Sequence, residues 1–333
     1  MIFVSWAARP KLLTRAATAC LLCGLAACAS LPPSPVATTT SPLGLYVDCR
    51  GQAAASPTVI LESGAFGTSA DWDFVLADLA KGGRVCAYDR GGVGASPPRA
   101  GDQSVTAIAH ELAGLLDRLG ETGPVILVGH SNGALYIETF AALWPNRVAG
   151  LVYVNGVTSN DLDDPALLRY LADERRLSDL AVDAADLGLA PLGASAMVKA
   201  EGLQGEAAAR KVAALTDLRS LRVARDEDRA IVPGLTVTRE VGGSPPAIPT
   251  VVIVGTTRPD IFSSKAWRAA EIVPAQRARR SWILDALGAT HVSPLARDRA
   301  WIVAAVDWLR SLNEGEGARG APGAAAFPQG ASR

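Results

Sequence analysis

The chain has 333 residues, nearly half of them hydrophobic and a fifth charged, enough for one large domain or two modest ones. Its formal net charge of −1 gives no reason to expect a nucleic-acid partner. Five cysteines and only three histidines, at these spacings, make no convincing zinc site.

Arg9, Lys11 and Arg15 form a positive leader, and Ala16 to Ala27 is an apolar run too short to span a bilayer. Residues 1–28 therefore read as a secretory signal. The run Leu25-Ala26-Ala27-Cys28 resembles a bacterial lipobox. That resemblance implies lipidation at Cys28 and a membrane partner through an N-terminal lipid anchor. The expected location is the bacterial cell envelope, on the periplasmic side in a Gram-negative organism. Residues 29–42, rich in Pro, Thr and Ser, should be a semi-extended tether.

Short β-branched runs bounded by Gly, Pro or polar turns then follow, at 57–61, 84–88, 124–129, 150–154 and 249–255, with a weaker one at 281–287. Between them lie helical patterns. Val105, Ile108, Leu112, Leu115, Leu116 and Leu119 form a core-facing stripe, and 70–79, 132–143 and 301–312 also read as helices. Such alternation predicts an α/β fold with a mostly parallel, doubly wound sheet. The strands stop from about 158 to 247, where short amphipathic helices such as 165–176 and 206–218 are expected. Residues 313–333, rich in Gly, Ala and Pro, should be a disordered tail.

Gly129-His130-Ser131-Asn132-Gly133 fits G-x-S-x-G between an apolar strand and a helix, the context that this motif needs. Ser131 is the candidate nucleophile, but a serine hydroxyl is weak without a base. His110 lies within a helical stripe and His130 adjoins the nucleophile. His291, in the loop after the weak last strand, can reach the carboxyl edge of the sheet and is the candidate base. An acid must fix its tautomer. Asp260 follows the strand ending at Gly255 and gives the chain order Ser, Asp, His; Asp161, after the preceding strand, is the alternative. Two oxyanion donors are expected, the backbone N–H groups of Asn132 and, by position in the glycine-containing loop after 57–61, of Ala65.

With ESGAFGTSADW at 62–72, YDRGGVGASPP at 88–98, LVGHSNG at 127–133 and GATHVSPL at 288–295, the chain resembles the α/β-hydrolase superfamily over most of 43–157 and 248–312. It is similar to the branch with Glu-x-Gly, here Glu62-Ser63-Gly64, in the first oxyanion loop. The resemblance implies a Ser-His-Asp triad, a covalent acyl-enzyme and a cap after the sixth strand, the slot taken by 158–247. Many members place the acid where this chain has Arg258, so Asp260 is displaced by two residues. Serine at the elbow disfavours the epoxide hydrolase and dehalogenase branches, which use Asp. The strands carrying Cys49 and Cys86 are neighbours in this fold, and an oxidising compartment would let the two form a disulfide. The function implied is hydrolysis of a small-molecule carboxylic ester without metal or organic cofactor. An amide or peptide substrate is the alternative, and a lipid-anchored binding protein on a retired hydrolase fold is the reading from another class. Oligomeric state is not legible in the chain.

Overall fold

The structure is a computed structural model that describes residues 37–40, 44–53, 56–99, 101–257 and 264–313. The signal segment with Cys28, most of the tether, residue 258, Asp260 and the tail from 314 lie outside the described residues.

The eight strands are β1 (Ala37–Thr40), β2 (Tyr46–Arg50), β3 (Val59–Glu62), β4 (Val85–Tyr88), β5 (Val125–His130), β6 (Val148–Val154), β7 (Thr250–Gly255) and β8 (Ser281–Ala286). They form one sheet in the order β1-β2-β4-β3-β5-β6-β7-β8. The pairs from β4 to β8 are parallel, whereas β1 and β2 run antiparallel at one edge. One expectation needs correction. Residues 37–40, expected in an extended tether, pair with β2 from Ala37 opposite Cys49 to Thr40 opposite Tyr46. Three consecutive threonines are good strand formers, and the free edge of β2 offers them a ladder.

The inner strands are buried on both faces, which explains their unbroken apolar character. Alternation sorts their side chains into two cores. Ile60, Leu127 and Tyr153 pack with Leu112, Leu116, Ile137 and Phe140 from α2 (Val105–Arg118) and α3 (Asn132–Leu143). Leu61, Ile126 and Val128 pack on the other face with Leu76 and Leu79 of α1 (Asp73–Leu79), and with Ile302 and Leu309 of the C-terminal helix. Local chemistry sets the ends of α2. The Ser104 hydroxyl accepts from the Ala107 N–H at 3.2 Å, and Gly120 at φ 72° lets the Glu121 N–H reach back to the Leu116 carbonyl.

Between β6 and β7 the chain is helical: α4 (Pro165–Asp186), α5 (Ala190–Ala200), α6 (Gly205–Thr216), α7 (Leu218–Arg229) and α8 (Ile231–Glu240). This insertion has its own small core, including Val182, Val198, Leu215 and Leu221. It is seated on the body through Leu171, Ile231 and Leu235 against Ile108, Leu135 and Tyr136. After β7 come α9 (Ser264–Glu271), α10 (Val273–Arg277), β8 and α11 (Ala300–Asn313). Cys49 and Cys86 face each other across β2 and β4 and are joined by a disulfide. No helix among the described residues is long and apolar enough to cross a membrane.

Candidate active site

Ser131 sits between β5 and α3 with φ 53° and ψ −125°, a conformation that a non-glycine residue adopts only when its surroundings impose it. The imposed bonds are visible. Its N–H donates to the Val154 carbonyl at 3.1 Å, and its carbonyl accepts from Ala134 and Val157, both at 3.0 Å. The flanking glycines are needed by space. A Cβ at Gly129 would lie 2.6 Å from the Gly133 carbonyl oxygen, and one at Gly133 would lie 2.5 Å from that of Glu62. The turn thus lifts Ser131 to the start of α3, where the helix dipole favours developing negative charge.

His291 reaches the same place from the loop after β8. Ser131, His291, His130 and Ala65 line one cavity of about 200 Å³. The main chain around His291 is held firmly. Its carbonyl accepts from Asn155 Nδ2 and from His130 Nε2, each at 2.9 Å, while Asn155 Oδ1 accepts from the Gly255 N–H at 2.6 Å. Asn155, at φ 45° just after β6, therefore ties the ends of β6 and β7 to the histidine loop. The two imidazoles lie 4.7 Å apart between centroids. Burial holds the His130 ring below the ordinary histidine range, so it is a neutral imidazole whose Nε2–H donates.

Ser63, Gly64, Ala65 and Gly67 of the loop after β3 line the same cavity. A Cβ at Gly64 would stand 2.8 Å from that of Ser131, so only glycine lets the loop come this close. Its carbonyls are engaged by cations. Arg90 Nη1 donates to Ser63 O at 2.7 Å, Arg90 Nη2 to Gly64 O at 3.0 Å, and Lys211 Nζ to Phe66 O at 3.0 Å. Arg90 is fully buried and also pairs with Glu62 at 2.7 Å and with Glu227 of α7 at 2.9 Å. Burial works against its charge, but Glu227 and Glu62 outweigh that and hold it firmly protonated. Burial pushes the Glu62 carboxyl up, against the pull of Arg90 and of the Tyr88 hydroxyl bonded to it.

The two candidate acids fare differently. Asp161 is buried in the turn after β6, where its carboxylate accepts the Thr158 N–H at 3.0 Å in a capping box. Burial pushes its ionisation well up, and it is not among the described residues that line the cavity. Asp260 lies outside the described residues. Sequence reasoning missed Asn155, Arg90, Lys211, Glu227 and Asp228. Arg90 stands inside a motif that was legible, but the last three belong to the helical insertion, whose packing has no local pattern to announce it. Glu174 and Glu201, also of the insertion, line the cavity as well.

The family model for the alpha/beta hydrolase fold matches residues 57–236. Among curated proteins, an AB hydrolase superfamily protein of Gibberella zeae is 32% identical over 124 residues, covering 34% of this chain and 37% of its own length. The chain thus spans well under half of that relative. Solved structures resemble the chain more widely. An esterase of Thermogutta terrifontis covers 83% of this chain and 97% of its own, with a TM-score of 0.55 and 22% identity. A laboratory-evolved potato epoxide hydrolase covers 80% and 96%, with a TM-score of 0.62 and 17% identity. At such identities the likeness is one of fold, shared by esterase and epoxide hydrolase alike.

Proposed function

The chain belongs to the α/β-hydrolase fold family, and we propose that within it this protein is a serine hydrolase of small carboxylic esters. The observation that carries the reading is Ser131, held at positive φ on a strand-to-helix turn, sharing one cavity with His291. His291 takes the Ser131 proton as the hydroxyl attacks the ester carbonyl. The N–H groups of Ala65 and Asn132 receive the negative charge of the tetrahedral intermediate. His291 then protonates the leaving alcohol, and the acyl-enzyme is released when the same imidazole activates water. Serine at the elbow favours this chemistry over that of epoxide hydrolases, whose nucleophile is a carboxylate.

Asp260 completes the triad in this proposal, with Asp161 assigned to its cap. Hydrolysis of short p-nitrophenyl esters tests both points. Ser131→Ala should abolish turnover, and Asp260→Asn should lower kcat by at least about a hundredfold while Asp161→Asn leaves it within about threefold. The reverse ranking would move the acid to Asp161, and a folded wild type without esterase activity would count against the ester reading. Export and diacylation of Cys28 belong to the same proposal; metabolic labelling with a fatty acid should be lost in Cys28→Ala.

A further inference from the structure

Two neighbouring residues of α7 in the helical insertion are linked to the residues that carry the two expected oxyanion donors, one through Arg90 and one through the Asn132 side chain. Glu227 meets Arg90 with Oε1 and Oε2 3.1 Å from Nε and Oε2 2.9 Å from Nη2. The other edge of that guanidinium grips the Ser63 and Gly64 carbonyls. Asp228 accepts from the side-chain amide of Asn132 at 3.1 Å and from the Ser178 hydroxyl at 2.7 Å. In a trans peptide the carbonyl of one residue and the N–H of the next point in opposite directions. A bond that fixes the Gly64 carbonyl therefore also fixes the direction of the Ala65 N–H. With its carbonyl held toward Arg90, the peptide turns its N–H away from Arg90. The Gly67 N–H shares that carbonyl at 3.1 Å, and Gly64 has no side chain that could set the plane by packing.

We propose that Glu227 and Asp228 are positioning residues for the oxyanion hole, Glu227 acting through Arg90 on the Gly64–Ala65 peptide and Asp228 acting on Asn132. The inference rests on the serine-hydrolase reading of Ser131, Ala65 and Asn132. It adds that the insertion is part of the catalytic frame: α7, through Arg90, helps to hold the peptide that carries the Ala65 donor. The planar fork of arginine suits this task, since one group must meet two carbonyls and two carboxylates at once. Lys211 of α6, bound to Phe66 O and to Asp71 at 2.8 Å, braces the far end of the same loop.

The test uses the full chain with Glu227→Gln, Asp228→Asn and Arg90→Lys. Three quantities are read: kcat and KM on p-nitrophenyl acetate, the Ki of an aryl trifluoromethyl ketone, and hydrogen exchange of the peptide spanning 62–68. A trifluoromethyl ketone forms a tetrahedral adduct with the serine, so its affinity reports the oxyanion donors rather than substrate docking. Glu227→Gln should lower kcat by about ten- to a hundredfold with KM within about threefold, raise Ki by the same factor, and speed exchange in 62–68 alone. Arg90→Lys should behave likewise, and Asp228→Asn should show the smaller loss of kcat. Unchanged kcat, Ki and exchange in Glu227→Gln would overturn the proposal. So would faster exchange throughout the sheet with kcat falling only with the folded fraction, since that marks a merely structural role. An inactive wild type would defeat the ester reading, and the exchange of 62–68 would then decide the positioning role by itself.

Discussion

Asn155 holds His291 by the main chain, its side-chain amide donating to the histidine carbonyl at 2.9 Å while its oxygen accepts the Gly255 N–H. The contact acts on the main chain and so fixes the loop that carries the imidazole. Replacing Asn155 by Ala removes these bonds, and the longer one to the Thr290 carbonyl at 3.3 Å, from a buried site and leaves the Gly255 N–H without this acceptor. The fold should lose about 2 kcal/mol. Because a small displacement of a general base is costly, kcat/KM should fall by about ten- to a hundredfold. Urea unfolding and steady-state kinetics check the two effects; a variant that loses stability but keeps full kcat/KM would show that the loop holds its place without Asn155.

The Cys49–Cys86 disulfide closes a loop with a sequence separation of 37 residues. Chain-entropy arguments give such a cross-link about 4 kcal/mol of stabilisation through the unfolded state. The bond ties β2 to β4 at the sheet edge, far in the chain from Ser131 and His291. Cys49→Ala/Cys86→Ala should therefore lower the urea midpoint markedly and leave the KM of the remaining folded enzyme unchanged. Equal midpoints for the double variant and the oxidised wild type would contradict the stabilising role.

Glu174 lines the cavity from α4, and burial, reinforced by Asp228, pushes its carboxyl up to about 8 from 4.5. A group whose folded pKa is raised contributes stability that is fully present below its unfolded value and is lost as pH rises through its folded value. The wild type should thus lose stability between about pH 5 and about pH 9 relative to Glu174→Gln. Urea unfolding of both proteins across that range measures it. Parallel stability profiles would show that Glu174 ionises normally.

Much of the frame was legible because its signals are local. Gly129 and Gly133 announce the elbow, since each occupies a space that no Cβ fits. The buried strands announce themselves as short apolar runs because both faces of β5, β6 and β7 are covered. Strand β1 was not legible: Ala37–Thr40 looks like any polar linker until the edge of β2 is there to pair with it. The insertion was readable as helices but not as contacts. Glu227 lies 137 residues from Arg90 in sequence, and nothing in an exposed-looking run such as Arg225-Asp226-Glu227-Asp228-Arg229 says which carboxylate turns inward. Asp161, the alternative acid by sequence, has its carboxylate on the Thr158 N–H, a bond made only by folding of the turn.

Ester hydrolysis here requires a serine hydroxyl made nucleophilic by its place beside His291. Reaction of the folded protein with a fluorophosphonate, followed by peptide mapping, tests this without knowledge of the substrate. The adduct should form on Ser131, be absent in Ser131→Ala, and form at least about a hundredfold more slowly in His291→Ala. A folded protein that takes up no label, or takes it up equally fast without His291, would contradict the claim.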